Sequence, residues 1–366
     1  MQQKTAKKNI FRLDHIIRYT IIIIPVGVAG HILFSLLNTD RGIFRSLGAF
    51  SFQYLAVAVV LGLIPWLTNT IRVYNWTQFL GKKYSFRDMF TLTLACELGA
   101  GVSPTAVGGG YVKMAMLIQK GMPSGAAASI MSLGSVEDIF FFLIAIPGAL
   151  IWTSAFRLHV LQDIFSKAQD RQNFFLFVVL GMGILVGSAL VLRKTKYYPK
   201  ILAVPFFAKW HARIKKFWRD FISIYALIRK KGKTRFAVNL LLTSVQWISR
   251  CSVIVALLAC FHVPLYPVEF FIFQWIIYIV GTFTPTPGGS VGVEAAFYFI
   301  YKNFIPADMM ALAVAGWRIL TYYLQLSLGV VLFSGLQFKY FSNERILPYP
   351  TAKPVPGIIF GRGKVR

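Results

Sequence analysis

The sequence predicts an all-α polytopic membrane protein, with about six full spans and two re-entrant, broken-helix hairpins forming a pseudo-inverted repeat. Three observations lead there. Of 366 residues, 56% are hydrophobic and only 14% charged, where a soluble domain carries about 25% charged. The uninterrupted apolar stretches Ile16–Leu37, Ser46–Thr70, Asn173–Leu192 and Phe236–Phe261 are each long enough to cross a bilayer, which takes roughly 17–25 residues. Finally, two apolar segments are broken by Pro and Gly where a span should continue, at "SPTAVGGG" and "TPTPGGS".

The elements follow from hydropathy and the placement of basic residues, which mark the cytoplasmic side. The basic N-terminus (Lys4, Lys7, Lys8, Arg12) stays inside, and the long apolar stretch after it lacks the small-residue cleavage site of a signal peptide. Ile16–Leu37 crosses outward and Ser46–Thr70 returns to a basic loop, Arg72–Asp88. Residues 89–120 contain Glu97 and the first break, and read as a hairpin that enters from the cytoplasm and goes back to it. Ser124–Trp152 crosses outward and Asn173–Leu192 returns. Between Arg193 and Arg235 lie fourteen Lys or Arg and one acid, Asp220. There "FFAKWHARIKKFWRDFISIYALIRKK" reads as an amphipathic helix on an anionic membrane surface. Phe236–Phe261 crosses out, Val268–Tyr301 forms a second hairpin entered from outside, and Met309–Gln337 crosses to a basic tail. One integral membrane domain, residues 1–340, is expected, with halves at about 16–192 and 236–337, a basic loop at 193–235 and a cytosolic tail at 338–366. Both termini are expected in the cytoplasm, and the protein in the cell inner membrane.

The two hairpins are alike. Gly108-Gly109 and Gly288-Gly289 each follow a Pro-Thr pair, and each is followed by a proline, Pro123 or Pro306, before a long helix. Entered from opposite faces, such hairpins form an inverted repeat whose broken helices meet near the membrane midplane. A Pro-x-Pro-Gly-Gly break at Pro285 frees backbone polar groups and lets a ligand approach closely. The helix after it would aim its positive end at the break, a seat for phosphate or carboxylate.

Charge within apolar segments is costly and marks candidate sites. Here it comprises Glu97, Glu137, Asp138, Arg250, Glu294 and Arg318, with Lys113 just after the first break. Arg250 ends a polar stripe of Asn239, Thr243 and Gln246, and Arg318 begins one with Tyr322 and Gln325. His31, Ser35 and Asn38 form a weaker third stripe, read as interhelical hydrogen bonding. Arg318 is expected to pair with Glu137, Asp138 or Glu294 across the pseudo-twofold. "PSGAAASIMSLGS" reads as a close-packing face.

The three cysteines, Cys96, Cys251 and Cys260, are isolated in apolar segments and indicate neither a disulfide framework nor a metal site. HExxH, GxSxG and GxxxxGK[ST] signatures are missing. No cofactor, no metal, no nucleic-acid partner and no enzymatic activity are expected.

"PTPGGSVGVEAAF" followed by "WRILTYYLQLSLG", with "SPTAVGGGYVKMAML" through "SVEDIFFFL" in the first half, resembles the flippase-like family named for the transmembrane region of lysylphosphatidylglycerol synthase. The resemblance covers roughly residues 15–340. It implies a protein that moves or presents lipids, such as aminoacylated phosphatidylglycerol or isoprenoid-linked glycolipids, with family roles on Pro285, Gly288, Gly289, Glu294 and Arg318. Family members often carry an arginine beside the acid of the first-half helix, where this chain has Glu137-Asp138. The family's cytosolic aminoacyl-transferase domain has no counterpart in the sequence, so lipid aminoacylation itself is not expected.

The reading is therefore a flippase or translocator of membrane lipids with anionic or zwitterionic headgroups. Two alternatives remain open: a membrane subunit presenting a polyprenyl-phosphate or lipid acceptor for glycosyl or aminoacyl transfer, and an ion-coupled small-solute transporter. The candidate headgroup site combines the two breaks (Gly108, Gly109, Pro285, Gly288, Gly289) with Lys113 and the six intramembrane charges.

Overall fold

The computed structural model describes residues 51–103, 108–153 and 205–342, with side chains from 217 to 335 in the last stretch. The expected spans Ile16–Leu37 and Asn173–Leu192, the His31 stripe and the basic tail after Ser342 lie outside the described residues. Those described are α-helical, with no β-strand among them.

Helix α1 (Phe52–Phe79) is followed by α2 (Phe86–Val102), α3 (Gly108–Gln119) and α4 (Ser124–Thr153). After α5 (Pro205–Lys231) come α6 (Lys233–Cys260), α7 (Pro267–Phe283), α8 (Gly292–Tyr301) and α9 (Ala307–Arg318). One π-helical turn, Ile319–Tyr323, joins α9 to α10 (Leu324–Ser342). Helices α1, α4 and α6 are long and apolar enough to cross a membrane.

The lengths recur in order. Helices of 28 and 17 residues open each series, as α1 and α2 and again as α6 and α7. A break, a short helix (α3, 12 residues; α8, 10 residues) and a further helix follow in both. The two 28-residue helices form the most extensive helix–helix contact and run antiparallel. Ser51 N–H at the start of α1 donates to the carbonyl of Cys260 at the end of α6 (3.4 Å). Asn75 Nδ2 near the other end of α1 donates to Asn239 Oδ1 of α6 (2.9 Å).

Helix starts follow local chemistry. Ser85 caps α2 in a reciprocal box with Asp88, which satisfies two amides that a helix start leaves bare. Burial disfavours the charged form of Asp88. The hydrogen bond and charge of Lys120 outweigh it, with help from Ser85, and hold the carboxyl below its usual range. The Gly108-Gly109 pair lets α3 lie against α2. A Cβ on Gly108 would come 2.5 Å from the Gly99 carbonyl, and one on Gly109 2.7 Å from that of Cys96. The small-residue face of α4 packs as expected: a Cβ on Gly125 would strike the Phe217 carbonyl of α5 at 2.7 Å.

One expectation fails at α1. The sequence reading ends a span at Thr70 and places Arg72 in a basic loop. The helix instead runs on to Phe79, and Arg72 is buried within it. Acceptors on α4 and α6 meet its guanidinium, so the charge is held inside the bundle.

Candidate functional site

Among the described residues, apolar packing falls mainly into two cores. One is built on α2, α3 and the end of α1, the other on α6 to α9. A cavity of about 340 Å³ lies where they meet. It is walled by Glu97, Ala100 and Gly101 of α2, Trp247 and Arg250 of α6, and Tyr278 and Gly281 of α7. Gly288 and Gly289 of the second break close one side, and Trp317, Arg318 and Tyr322 another. The two breaks do not contribute equally. Gly108, Gly109 and Lys113 lie outside the cavity wall, as does Pro285.

Arg250 sits deep. At 1.5 Å per residue it is about 26 Å along α6 from Lys233, and Glu97 is about 17 Å along α2 from Phe86. The guanidinium approaches Glu97 Oε1 only to 3.8 Å and lies over the rings of Trp247 (5.5 Å) and Tyr278 (5.9 Å). Among the described residues it makes no hydrogen bond. Its donors are directional groups that need acceptors, so a cation on the wall of a cavity with its donors unspent is a ready anion contact. Glu97, beside it on the same wall, could meet an ammonium.

Arg318 is spent. Its Nε donates to Glu294 Oε1 (2.6 Å) and its Nη2 to the Gly288 carbonyl (3.0 Å), and the guanidinium lies 5.2 Å from the Tyr322 ring centroid. The pairing with one of three acids holds, but the partner is Glu294, on α8 of the same half. Glu137 and Asp138 are taken by Arg72, so Arg318 makes no charge pair across the halves, and the pair that does cross is the longer contact of Arg250 with Glu97. Glu294 lies in the first turn of α8, so the positive helix end expected to seat a ligand's anion already has one of the chain's own.

The glycines of the second break are required by the backbone. Gly288 (φ 62°) and Gly289 (φ 66°) are left-handed, a region side chains enter at a cost. A Cβ on Gly288 would fall 2.4 Å from the Tyr322 ring, and one on Gly289 3.1 Å from the Cα of Gly281. The close approach foreseen for a ligand is thus made by Tyr322 and α7. Tyr322 Oη also donates to the Gly101 carbonyl (2.8 Å), tying the π-helical turn to the end of α2.

A second charged cluster lies nearer the Lys82 end of the bundle, outside the cavity wall. Arg72 Nε donates to Glu137 Oε2 (2.8 Å), Nη1 to Gln246 Oε1 (2.9 Å) and Nη2 to the Gly134 carbonyl (2.9 Å). Glu137 also accepts from Trp76 Nε1 (2.7 Å) and Asn239 Nδ2 (3.2 Å). Asp138 meets Arg72 Nη2 (3.1 Å) and accepts from Trp247 Nε1 (3.1 Å). Asn239 and Gln246 of the α6 stripe thus act as hydrogen-bonding partners, while Arg250 alone of that stripe faces the cavity. Arg72 was the residue missed. The available signal was that no Gly or Pro interrupts the chain between Trp66 and Leu80, so the helix had no reason to stop at Thr70. No group of three or more potential metal ligands occurs among the described residues.

Apolar helices long enough to span, enclosing charged side chains around an internal cavity, define a membrane-embedded α-helical protein with a polar interior site. The family described as the lysylphosphatidylglycerol synthase TM region matches residues 17–329, and the chain belongs to it. It is also similar to a UPF0104 membrane protein of Archaeoglobus fulgidus, 24% identical over 302 residues, which cover 79% of this chain and 89% of that protein.

Proposed function

We propose that this protein is a lipid translocator, which carries an anionic or zwitterionic headgroup through the α2–α6–α7 cavity while the acyl chains stay in the bilayer. The carrying observation is Arg250: a deep guanidinium on a cavity wall, stacked on two aromatic rings, with no hydrogen bond among the described residues. An intramembrane charge of this kind marks a substrate path by default. The lipid-related family supports the same reading. In this proposal the two helix series are inverted repeats, with α2–α3 and α7–α8 as re-entrant hairpins and both termini in the cytoplasm of an inner-membrane protein. The antiparallel course of α1 and α6 favours that arrangement, because helices related by a twofold axis in the membrane plane must run in opposite directions. The work is transport without a chemical step.

The test uses proteoliposomes holding headgroup-labelled phosphatidylglycerol and an impermeant quencher. Wild-type protein is expected to expose the protected inner-leaflet label, and Arg250→Gln to slow that exposure about tenfold or more, since a hydrogen bond to a charged group contributes about 1.5–3 kcal/mol. A protein that only presents a lipid to an enzyme leaves the inner label protected, and that result would overturn the proposal.

A further inference from the structure

With no hydrogen bond among the described residues, Arg250 depends for its place on the rings it lies over. Trp247 is the nearer, at 5.5 Å against 5.9 Å for Tyr278, within the roughly 6 Å at which a ring face attracts a cation. Trp247 and Arg250 stand at i and i+3 on α6, so they share one face of that helix. The Trp247 ring is itself held from several sides. Phe142 of α4 and Tyr278 of α7 meet it edge-on at 4.7 and 5.5 Å. Its indole N–H donates to Asp138 Oδ1 of α4 (3.1 Å).

Such a bond is not automatic in this fold. The buried indoles of Trp66 and Trp317 make no hydrogen bond among the described residues. Trp317 also lies beside a guanidinium, that of Arg318 at 5.7 Å. Arg318 has no need of an anchored ring, because Glu294 and the Gly288 carbonyl fix it directly. Arg250 lacks such acceptors, and there the indole is anchored. Asp138 is held in turn by Arg72 Nη2 (3.1 Å), whose guanidinium also donates to Glu137, Gln246 and Gly134.

We infer that Asp138 is a positioning residue for the headgroup site: through Trp247 it sets the platform from which Arg250 offers its donors to an anion. This role rests on the headgroup reading proposed for Arg250. A guanidinium fixed by hydrogen bonds to the chain has fewer donors left for a ligand, whereas one fixed by ring faces keeps them. The ring must then be rigid, because ordering a mobile arginine at the moment of binding costs affinity. One oxygen on α4 supplies that rigidity. The Arg72 cluster thereby takes part in binding without touching the ligand. Asp138 has a second route to Arg250, through its charge. By that route alone, any neutral residue at 138 would leave Arg250 a stronger attractor for phosphate.

The experiment titrates full-length protein in detergent with dihexanoyl phosphatidylglycerol, followed by calorimetry. Asp138→Asn, which keeps an oxygen for the indole N–H, is expected to bind at least as tightly as wild type. Asp138→Leu, which strands that N–H, is expected to bind about fivefold weaker or more, within what a desolvated cation–ring contact contributes. Trp247→Phe keeps a ring without the donor and is expected to weaken binding to a like degree. Asp138→Leu added to it is expected to weaken binding no further, as for two residues acting through one contact. Equal binding by Asp138→Asn and Asp138→Leu, tight or weak, overturns the inference, because loss of charge is what those two variants share. Wild-type affinity in Trp247→Phe overturns it too, and that variant decides if Asp138→Leu does not fold. If wild type binds no lipid, the headgroup reading has failed, and the ligand-free protein decides the positioning. Ring current from an indole moves the resonance of a guanidinium over its face upfield. The Nε–H signal of Arg250 in protein carrying isotope-labelled arginine, identified by its loss in Arg250→Gln, therefore reports the stack. An upfield signal kept in Asp138→Asn and displaced in Asp138→Leu supports the inference. No upfield shift in wild type, or one unchanged in Asp138→Leu, overturns it.

Discussion

Arg72 and Arg250 are both arginines deep in an apolar helix with acidic neighbours, yet the fold treats them oppositely. Arg72 is 3% exposed and donates to a carboxylate, an amide and a backbone carbonyl. Arg250 has one distant carboxylate at 3.8 Å and two aromatic faces. The first arrangement satisfies a buried charge completely and leaves nothing for a ligand. The second keeps the cation solvated by π-faces and open on a cavity. Satisfaction of the donors, rather than depth or charge, separates a structural arginine from a candidate binding one.

The largest expected effect lies on the structural side. Arg72→Leu strands the carboxylate of Glu137, whose side chain is fully buried, and removing one partner of a buried pair costs about 3–5 kcal/mol. Yield and thermal stability, followed by size-exclusion chromatography after heating, are expected to collapse. Arg72→Lys is expected to rescue little, because one ammonium cannot span the acceptors that the planar guanidinium reaches on α4 and α6. Normal stability of Arg72→Leu would erase the distinction between the two arginines.

That distinction was only half visible in the sequence. The order of helices, the second break and its Glu294…Arg318 companions could be read because Pro, Gly and charge are local signals in an apolar background. α4 begins at Ser124 and α7 ends at Phe283, both as expected. Arg72 was misplaced because a basic residue close to Lys82 and Lys83 resembles a topology determinant until its partners, 65 and 174 positions away, are known. The role of Gly108-Gly109 was misjudged for a related reason. A glycine pair reads the same whether a ligand or a neighbouring helix comes close, and here the neighbour is α2. Of the aromatic wall only Tyr322 stood out, in the Arg318 stripe; Trp247, Tyr278 and Trp317 gave no signal among 16% aromatics, since only the fold brings the four rings to one cavity.

Arg318 is expected to fall near the lower end of the same range. Its partner Glu294 keeps 18% side-chain exposure, so the stranded charge has some relief, and Arg318→Ala is expected to cost about 3 kcal/mol. Glu294→Gln added to Arg318→Ala removes that stranded charge and is expected to recover part of the thermal stability. Asp138→Asn in the same background is expected to recover none. Rescue by Asp138→Asn would reinstate a pairing of Arg318 across the halves.

Gly288→Ala probes the break without touching charge. A side chain at a left-handed φ costs about 1–2 kcal/mol, and here it also meets the Tyr322 ring. A moderate fall in thermal stability is expected, with part of the loss relieved by Tyr322→Leu, which removes the crowding and leaves the backbone strain. An unchanged melting profile in Gly288→Ala would mean that the break is not packed as described.

Glu97→Gln is the mildest change and separates the two sites most finely. Glu97 keeps 26% side-chain exposure and reaches Arg250 only at 3.8 Å, so losing its charge is expected to shift stability by less than about 1 kcal/mol, as for a solvent-screened pair. The effect belongs in selectivity. Under the proposed headgroup role, a headgroup bearing both phosphate and amine would meet Arg250 with the one and Glu97 with the other, whereas phosphatidylglycerol would use Arg250 alone. Glu97→Gln is therefore expected to leave phosphatidylglycerol exposure in proteoliposomes intact, or to raise it by freeing Arg250 of its one anion, while slowing that of an aminoacylated or ethanolamine headgroup. Equal losses for both lipids would show that Glu97 supports the cavity wall as Glu137 supports Arg72, and the contrast between a closed and an open charge site would then rest on Arg250 alone.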